Sequence, residues 1–217
     1  MLEIKLWWFL PVFFISAAFV AVVLPAIVRT ANKMDLYDTQ DDRKVHKGNV
    51  PRLGGVSFIP AILFTLMMVI AAMSIYSPFN ITFSYGSITE VMLVISGSLI
   101  LYLVGVVDDI IGVSYKYKFI VQIMAAILLC ISGLWIKDLH GIFGIHALSP
   151  WLGVPLTLVV IVLIINSVNL IDGIDGLASG LCIMGTVGYS IIFLYRGLNI
   201  YLLLAAAMLG VLVIFYL

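Results

Sequence analysis

Charge is scarce in this sequence. Only 10% of its 217 residues are Asp, Glu, Lys or Arg, whereas 64% are hydrophobic, and the formal net charge is zero. A soluble domain is about half apolar and about a quarter charged, so this composition excludes an ordinary soluble protein and predicts a polytopic membrane protein. The lack of excess positive charge argues against nucleic acid as a partner, and the lipid bilayer becomes the first predicted partner.

Several catalytic signatures are missing as well. The chain has no GxxxxGK[ST] phosphate loop, no HExxH zinc motif and no GxSxG nucleophile elbow. It has two cysteines, Cys130 and Cys182, and both lie in apolar runs, where a thiol usually behaves as a small hydrophobic side chain. These absences exclude the commonest nucleotide hydrolases, zinc peptidases and serine hydrolases.

Long apolar runs dominate what is present. A spanning helix needs about 20 mainly apolar residues. The template fits at about residues 6–28, 53–75, 88–107, 118–136, 151–167, 177–195 and 198–217. The first run is too long for the core of a secretory signal, so we interpret it as a retained helix. We predict an all-α protein of about seven transmembrane helices, forming a single transmembrane domain over residues 1–217.

The basic residues predict the orientation. Most of them fall in the loops after the first, third and fifth predicted helices, at Arg29, Lys33, Arg43, Lys44, Lys47, Arg52, Lys116 and Lys118. Loops rich in Lys and Arg remain in the cytoplasm, which places the N-terminus outside. Most acids share that side, at Asp35, Asp38, Asp41, Asp42, Asp108, Asp109, Asp172 and Asp175. We therefore expect a site at the cytoplasmic face, formed by loops at about 29–52, 108–118 and 166–177.

The first of these loops contains Lys44, His46, Lys47 and Arg52. Such side chains can bind a diphosphate, Arg through a bidentate fork and Lys as a point charge. Taken alone, however, the charges favour a solvated loop that follows the positive-inside rule. They are candidate substrate-binding residues only in combination with the other two loops.

The second loop begins with Asp108 and Asp109, at the end of an uncharged apolar run. A carboxylate near a helix C-terminus opposes the helix dipole, so we do not expect helix capping to explain the pair. An acid pair in this position can bind a divalent cation, or one member can act as a base. Both residues are therefore candidate catalytic residues.

The third loop, NSVNLIDGIDGLASG, places Asn166, Asn169, Asp172 and Asp175 at every third position. All four are candidate substrate-binding residues. Gly173 and Gly176 follow the two Asp and permit non-helical backbone close to a ligand. Oxygen ligands without Cys or His suit a hard cation, so Asn169, Asp172 and Asp175 are candidate ligands for Mg²⁺, with Mn²⁺ as the alternative.

Three segments together, RKVHKGNVPRLGG, VVDDIIGVSYKYKFIVQ and NSVNLIDGIDGLASG, resemble the bacterial polyprenyl-phosphate N-acetylhexosamine-1-phosphate transferases. Their order, spacing and membrane side agree with that family. Val50-Pro51-Arg52 stands where the branch that transfers the muramoyl-pentapeptide unit has a Thr-Pro-Thr stretch. The first segment therefore resembles the branch that uses N-acetylglucosamine.

The resemblance implies a reaction at the bacterial inner membrane. The family transfers N-acetylglucosamine-1-phosphate, or a related N-acetylhexosamine-1-phosphate, from a UDP-sugar to undecaprenyl phosphate and releases UMP. This is the first membrane step of cell-envelope polysaccharides such as O-antigen or teichoic acid. The resemblance makes Asp108 the base or activator of the lipid phosphate, with Asp109 assisting. It places Lys47 at the substrate, and Asn169, Asp172 and Asp175 in the nucleotide and metal region.

The family continues for about ten or eleven helices and has its main metal-binding Asp beyond the seventh. We therefore expect this chain to be a C-terminally truncated form, whose own activity is open. Three alternatives are also open. An intramembrane Mg²⁺-dependent prenyltransferase would need acids spaced four apart, and a cation or nucleotide-sugar transporter would show repeats and polar groups near the midplane. The third is an inactive remnant that binds substrate. The oligomeric state is open too, a homodimer included.

Overall fold

The computed structural model describes residues 2–34, 52–76, 85–172 and 176–217. Within these ranges the chain is helical apart from turns and one isolated antiparallel β-bridge, between Asp138 and Ala147. The helices are α1 (Leu2–Lys33), α2 (Phe58–Tyr76), α3 (Tyr85–Ile111), α4 (Tyr115–Ile131), α5 (Pro150–Ile171), α6 (Leu177–Arg196) and α7 (Asn199–Tyr216). Two short 3₁₀ helices, Arg52–Ser57 and Ile142–Gly144, complete the list. The all-α polytopic prediction is confirmed.

Among the seven α-helices of the described ranges, six are long and apolar enough to cross a membrane: α1, α2, α3, α5, α6 and α7. The exception is α4, which has 17 residues, at the short end of the range for a span. Helix α4 ends earlier than predicted because Gly133 adopts a left-handed conformation, with φ of 89°. The N–H of Leu134 donates to the carbonyl of Leu129 at 3.2 Å, a bond typical of a glycine-terminated helix.

The chain divides into two compact units, and the first contains α1, α2, α6 and α7. In this unit α7 lies in the middle and packs against the other three helices. Its small residues, Ala205, Ala206, Ala207 and Gly210, are buried. Small side chains let neighbouring backbones approach closely, which is how helices usually associate where lipid offers no hydrophobic driving force.

The second unit contains α3, α4 and α5 through Leu170. Here α3 packs on α4, and the contact is again formed by small residues. A side chain at Gly97 would place its Cβ 3.3 Å from the carbonyl oxygen of Ala125, and Ala125 and Ala126 are buried. The α3–α4 contact fixes the position of the short turn between them, which directly follows the candidate acids at the end of α3.

Between α4 and α5 the chain forms a small hairpin, residues 137–148. The N–H of Leu148 donates to the carbonyl of Lys137 at 2.8 Å, and the N–H of Leu139 donates to the carbonyl of His146 at 3.0 Å. The 3₁₀ turn Ile142–Gly144 forms its tip. Before the hairpin, non-helical backbone runs beside α5, where the N–H of Ile136 donates to the hydroxyl of Thr157 at 2.9 Å.

Thr157 gives this non-helical backbone a hydrogen-bond partner inside the protein. Its buried hydroxyl accepts from Ile136 and donates to the carbonyl of Gly153 at 2.6 Å. Non-helical backbone within a bilayer must find its hydrogen bonds inside the protein. Thr157→Val should therefore leave the N–H of Ile136 unsatisfied and destabilise the α4–α5 connection by about 1–3 kcal/mol. Thermal unfolding in detergent, followed by tryptophan fluorescence, measures the effect.

Thr186→Val on α6 is the matched control. Thr186 is also buried, but its hydroxyl only donates back to the carbonyl of Cys182, one turn earlier in the same helix. Removing that hydroxyl leaves no backbone N–H without a partner, so the unfolding temperature should barely change. Equal effects of the two substitutions would contradict the role assigned to Thr157.

Candidate active site

Asp108 and Asp109 lie in the last turn of α3, which extends to Ile111. The helix ends at Gly112, whose φ of 72° is left-handed and whose N–H donates to the carbonyl of Asp108 at 2.9 Å. Glycine adopts this conformation at little cost, and it turns the chain towards α4 within three residues. The turn therefore brings the start of α4 back to the acids at the end of α3.

The carboxylate of Asp108 contacts both the turn and the first part of α4. Its Oδ1 accepts from the backbone N–H of Val113 at 2.8 Å, and its Oδ2 forms an ion pair with Lys118 Nζ at 2.6 Å. Neither contact caps a backbone carbonyl of α3, because a carboxylate only accepts hydrogen bonds. The Asp108 side chain fixes the turn, and the Lys118 cation compensates the unfavourable position of a carboxylate at a helix C-terminus.

This ion pair remains accessible to a ligand. The side chains of Lys118 and Asp108 are 37% and 29% exposed. Ion pairs in contact with water contribute little to stability, so stabilisation of the fold does not by itself account for this pair. An accessible, positioned carboxylate beside a cation can accept a proton or orient a phosphate group. We call Asp108, Val113 and Lys118 the acid–lysine corner.

A second polar contact joins α4 to α5. The Asn166 amide Nδ2 donates to Gln122 Oε1 at 2.7 Å and to the carbonyl of Val162 at 2.8 Å. Gln122 Nε2 lies 3.5 Å from Asn166 Oδ1, which makes the amide contact reciprocal. Lys118 and Gln122 are four residues apart and share one face of α4. That face of α4 therefore contacts one candidate site residue on α3, Asp108, and another on α5, Asn166.

Local sequence patterns do not predict the roles of Lys118 and Gln122. The pattern around Lys118 indicates only a basic residue that contributes to orientation, and Gln122 lies in an apolar run. One available signal was their spacing, because a Lys and a Gln four residues apart form a polar stripe on an otherwise apolar helix. The partners of that stripe depend on how three helices pack, which local patterns do not reveal.

The remaining predicted residues are distributed as follows. Asn169 is exposed in the last turn of α5, and exposed Asp172 directly follows that helix. Helix α5 thus extends through Ile171, so Asn166 and Asn169 are helical rather than part of a loop. Arg52 is the first residue of the 3₁₀ helix Arg52–Ser57. The other candidates, Lys44, His46, Lys47 and Asp175, lie outside the described residues.

The predicted metal ligands are only partly covered by the described residues: Asn169 and Asp172 are described, and Asp175 is not. In residues 2–34, 52–76, 85–172 and 176–217, no group of three or more His, Cys, Asp or Glu side chains could hold a metal ion. Asp172 and Asn169 nevertheless offer oxygen donors of the kind that Mg²⁺ takes. That ion commonly uses one or two carboxylates together with substrate phosphates. The donors are thus of the right chemical type, although the described side chains alone do not complete a site.

These features define a helical membrane protein with an accessible acid–lysine corner. The sequence model described as glycosyl transferase family 4 matches residues 91–217, which is more than half of the chain. The chain belongs to this family.

Individual relatives are similar over most of this chain. A protein of Bacillus subtilis named "Probable undecaprenyl-phosphate N-acetylglucosaminyl 1-phosphate transferase" is 31% identical over 91% of this chain and 53% of its own length. A phospho-N-acetylmuramoyl-pentapeptide-transferase of Staphylococcus carnosus is 27% identical, over 86% of this chain and 59% of its own. An undecaprenyl-phosphate alpha-N-acetylglucosaminyl 1-phosphate transferase of Yersinia pestis is 29% identical, over 85% and 46%. The chain spans about half the length of these curated relatives.

Proposed function

We propose that the protein transfers an N-acetylhexosamine-1-phosphate, with N-acetylglucosamine favoured, from a UDP-sugar to undecaprenyl phosphate. An oxygen of the lipid phosphate attacks the β-phosphorus of the UDP-sugar, the bond to the α-phosphate bridging oxygen breaks, and UMP leaves. The observation that carries the proposal is the acid–lysine corner. It combines an accessible carboxylate with a cation in contact with it, at the end of a membrane-spanning helix.

The corner suits both demands of this reaction. A phosphate monoester has a second pKa near 6, so part of the acceptor still carries a proton near neutral pH. Asp108 can take that proton, or orient the ionised phosphate through a shared cation. Lys118 lies 2.6 Å from Asp108 and provides positive charge close to phosphate oxygens on which negative charge accumulates. Two relatives whose names state undecaprenyl phosphate and N-acetylglucosamine support this substrate pair.

Other residues keep the roles predicted from the sequence. Asp109 assists Asp108, and Lys44, His46, Lys47 and Arg52 bind the diphosphate. Asn169, Asp172 and Asp175 remain the candidates for the nucleotide and for Mg²⁺. When bound, that ion would neutralise charge on the phosphates. We place the reaction at the cytoplasmic face of the bacterial inner membrane, as the first membrane step in making a cell-envelope polysaccharide.

The direct test is the release of UMP. Protein purified in detergent is incubated with UDP-N-acetylglucosamine, undecaprenyl phosphate and Mg²⁺, and both UMP and lipid-bound sugar are measured. The 217-residue chain and any longer product of the same gene are tested in parallel. UMP that requires the lipid acceptor is the expected result. If no form released UMP with any UDP-N-acetylhexosamine, the transferase proposal would fail, and transport or substrate binding would replace it.

Lys118→Met is expected to lower kcat about 10- to 100-fold, because Asp108 loses the cation that positions it. The Met side chain is unbranched and only one atom shorter than Lys, so it keeps most of the packing on α4. Lys118→Arg should restore part of the activity, since Arg retains the charge but not the geometry of a single ammonium group. Initial rates of UMP release at several UDP-sugar concentrations separate kcat from KM.

Lys116→Met provides the matched control on the same helix. Lys116 carries the same charge, is exposed, and is offset from Lys118 by about 200° around α4. Its loss should change kcat less than about threefold. Similar losses of kcat in both variants would indicate a general requirement for positive charge near the membrane, and would contradict a specific role for Lys118.

A further inference from the structure

Helix α4 ends before the chain can leave a bilayer. Its 17 residues rise about 26 Å, whereas the hydrocarbon core of a bilayer is about 30 Å thick. The helix begins with polar residues, Tyr115 and Lys116, which belong at a membrane surface. The chain after Ile131 therefore starts near the opposite hydrocarbon boundary, and not in bulk water.

The next residues remain against α5. Thr157, which accepts from the N–H of Ile136, lies seven residues into that helix, or about 10 Å along its axis. At Gly153, an added Cβ would lie 2.5 Å from both the carbonyl oxygen of Ile136 and the ring of Trp135. The backbone of residues 135–136 is thus packed at membrane depth. The hairpin 137–148 continues from it at the lipid–water boundary.

The tip of this hairpin is apolar and uncovered. Ile142, Phe143 and Ile145 are all exposed, and Phe143 is 93% exposed. The φ of Phe143 is +53°, a left-handed conformation that bulky side chains rarely adopt. In water, Phe143 would combine two unfavourable features, a strained backbone and an exposed apolar ring. If the tip enters lipid, the cost of exposing the ring to water is removed.

We propose that Ile142, Phe143 and Ile145 insert into the interfacial layer of the bilayer that α5 crosses. The lipid-facing surface of α5 continues to the hairpin, because Trp151 and Leu152 in its first turn are 89% and 65% exposed. Tryptophan is enriched at membrane interfaces, where its ring lies at headgroup level. The hairpin thereby anchors the connection between α4 and α5 to lipid. This anchoring is independent of the transferase reaction.

The test measures the depth of the tip in a membrane. Cys130 and Cys182 are replaced by Ala, Phe143→Cys is labelled with bimane, and the protein is reconstituted in phosphatidylcholine vesicles. Fluorescence is quenched with iodide in the water or with nitroxide lipids, labelled either near the headgroup or near the end of the acyl chain. We expect the headgroup-proximal nitroxide to quench at least about twofold more strongly than the terminal one, as for an interfacial residue. Iodide quenching should be weak.

Two further variants keep the result interpretable. Bimane at Leu163→Cys, exposed in the middle of α5, should be quenched best by the terminal nitroxide. Ile142→Ser with Ile145→Ser should reduce the nitroxide quenching of a Phe143→Cys label at least about twofold, since the tip loses apolar surface. Strong quenching by iodide alone would show a tip in water and overturn the proposal. Protection from both quenchers would show a tip buried against protein, such as a second copy, and would overturn it as well.

Discussion

Asp108→Asn is expected to lower the rate of UMP release by about 10²–10⁴-fold, the usual contribution of a positioned acid or base. The amide oxygen of Asn can still accept from the N–H of Val113, the 2.8 Å bond that fixes the turn. The substitution therefore removes the charge and the proton acceptor but keeps the shape of the turn. It also breaks the ion pair with Lys118. Initial rates are measured in the form of the gene product that releases UMP.

Glu90→Gln on the same helix is the control. It also replaces a carboxylate with an amide, but near the start of α3, about 27 Å from Asp108 along the helix axis. Its rate should be within about threefold of the parent rate. Thermal unfolding of both variants shows whether the fold is intact. If Asp108→Asn retained near-parental rates, the acid–lysine corner would be a structural ion pair, and the catalytic role would have to be assigned elsewhere.

The helical fold could be predicted from the sequence because its signal is local. Apolar runs of the length of a bilayer predict directly the six described helices that are long and apolar enough to span one. Hydropathy alone was less informative about helix ends. It extended α4 to residue 136 through apolar residues after Gly133, although that glycine ends the helix. It also ended the fifth span at about residue 167, although α5 continues through Ile171.

The candidate site was predictable only in part, for a similar reason. Asp108 and Asn166 stand out as polar residues next to apolar runs, so the sequence identified them. Their partners, Lys118 and Gln122, act through contacts made by the packing of α4 against its two neighbours. The Gln122–Asn166 contact joins residues 44 positions apart. Such a pairing depends on helix register, which a local pattern cannot define.

Gly210→Leu is expected to destabilise the first unit by about 3 kcal/mol or more, because it overpacks a buried helix contact. Gly210 lies on α7 directly against α1. Even the first carbon of a side chain would collide there with Ser16 Oγ and the carbonyl oxygen of Phe13, and would lie 3.0 Å from the backbone nitrogen of Ala17. Two of these atoms are backbone, so relief requires α1 and α7 to separate. Thermal unfolding and the yield of monodisperse protein in detergent measure the loss.

The same substitution at Gly185 on α6 separates this collision from the general effect of adding a leucine. Gly185 belongs to the same unit, is exposed, and has no atom within 4 Å of an added Cβ. Leucine favours a helix over glycine by up to about 1 kcal/mol, so Gly185→Leu should leave stability unchanged or raise it slightly. Because α7 packs against α1, α2 and α6, separation at Gly210 should also expose the buried apolar residues around Val12 and Leu203. A Gly210→Leu protein as stable as Gly185→Leu would show that α1 and α7 do not pack at this distance.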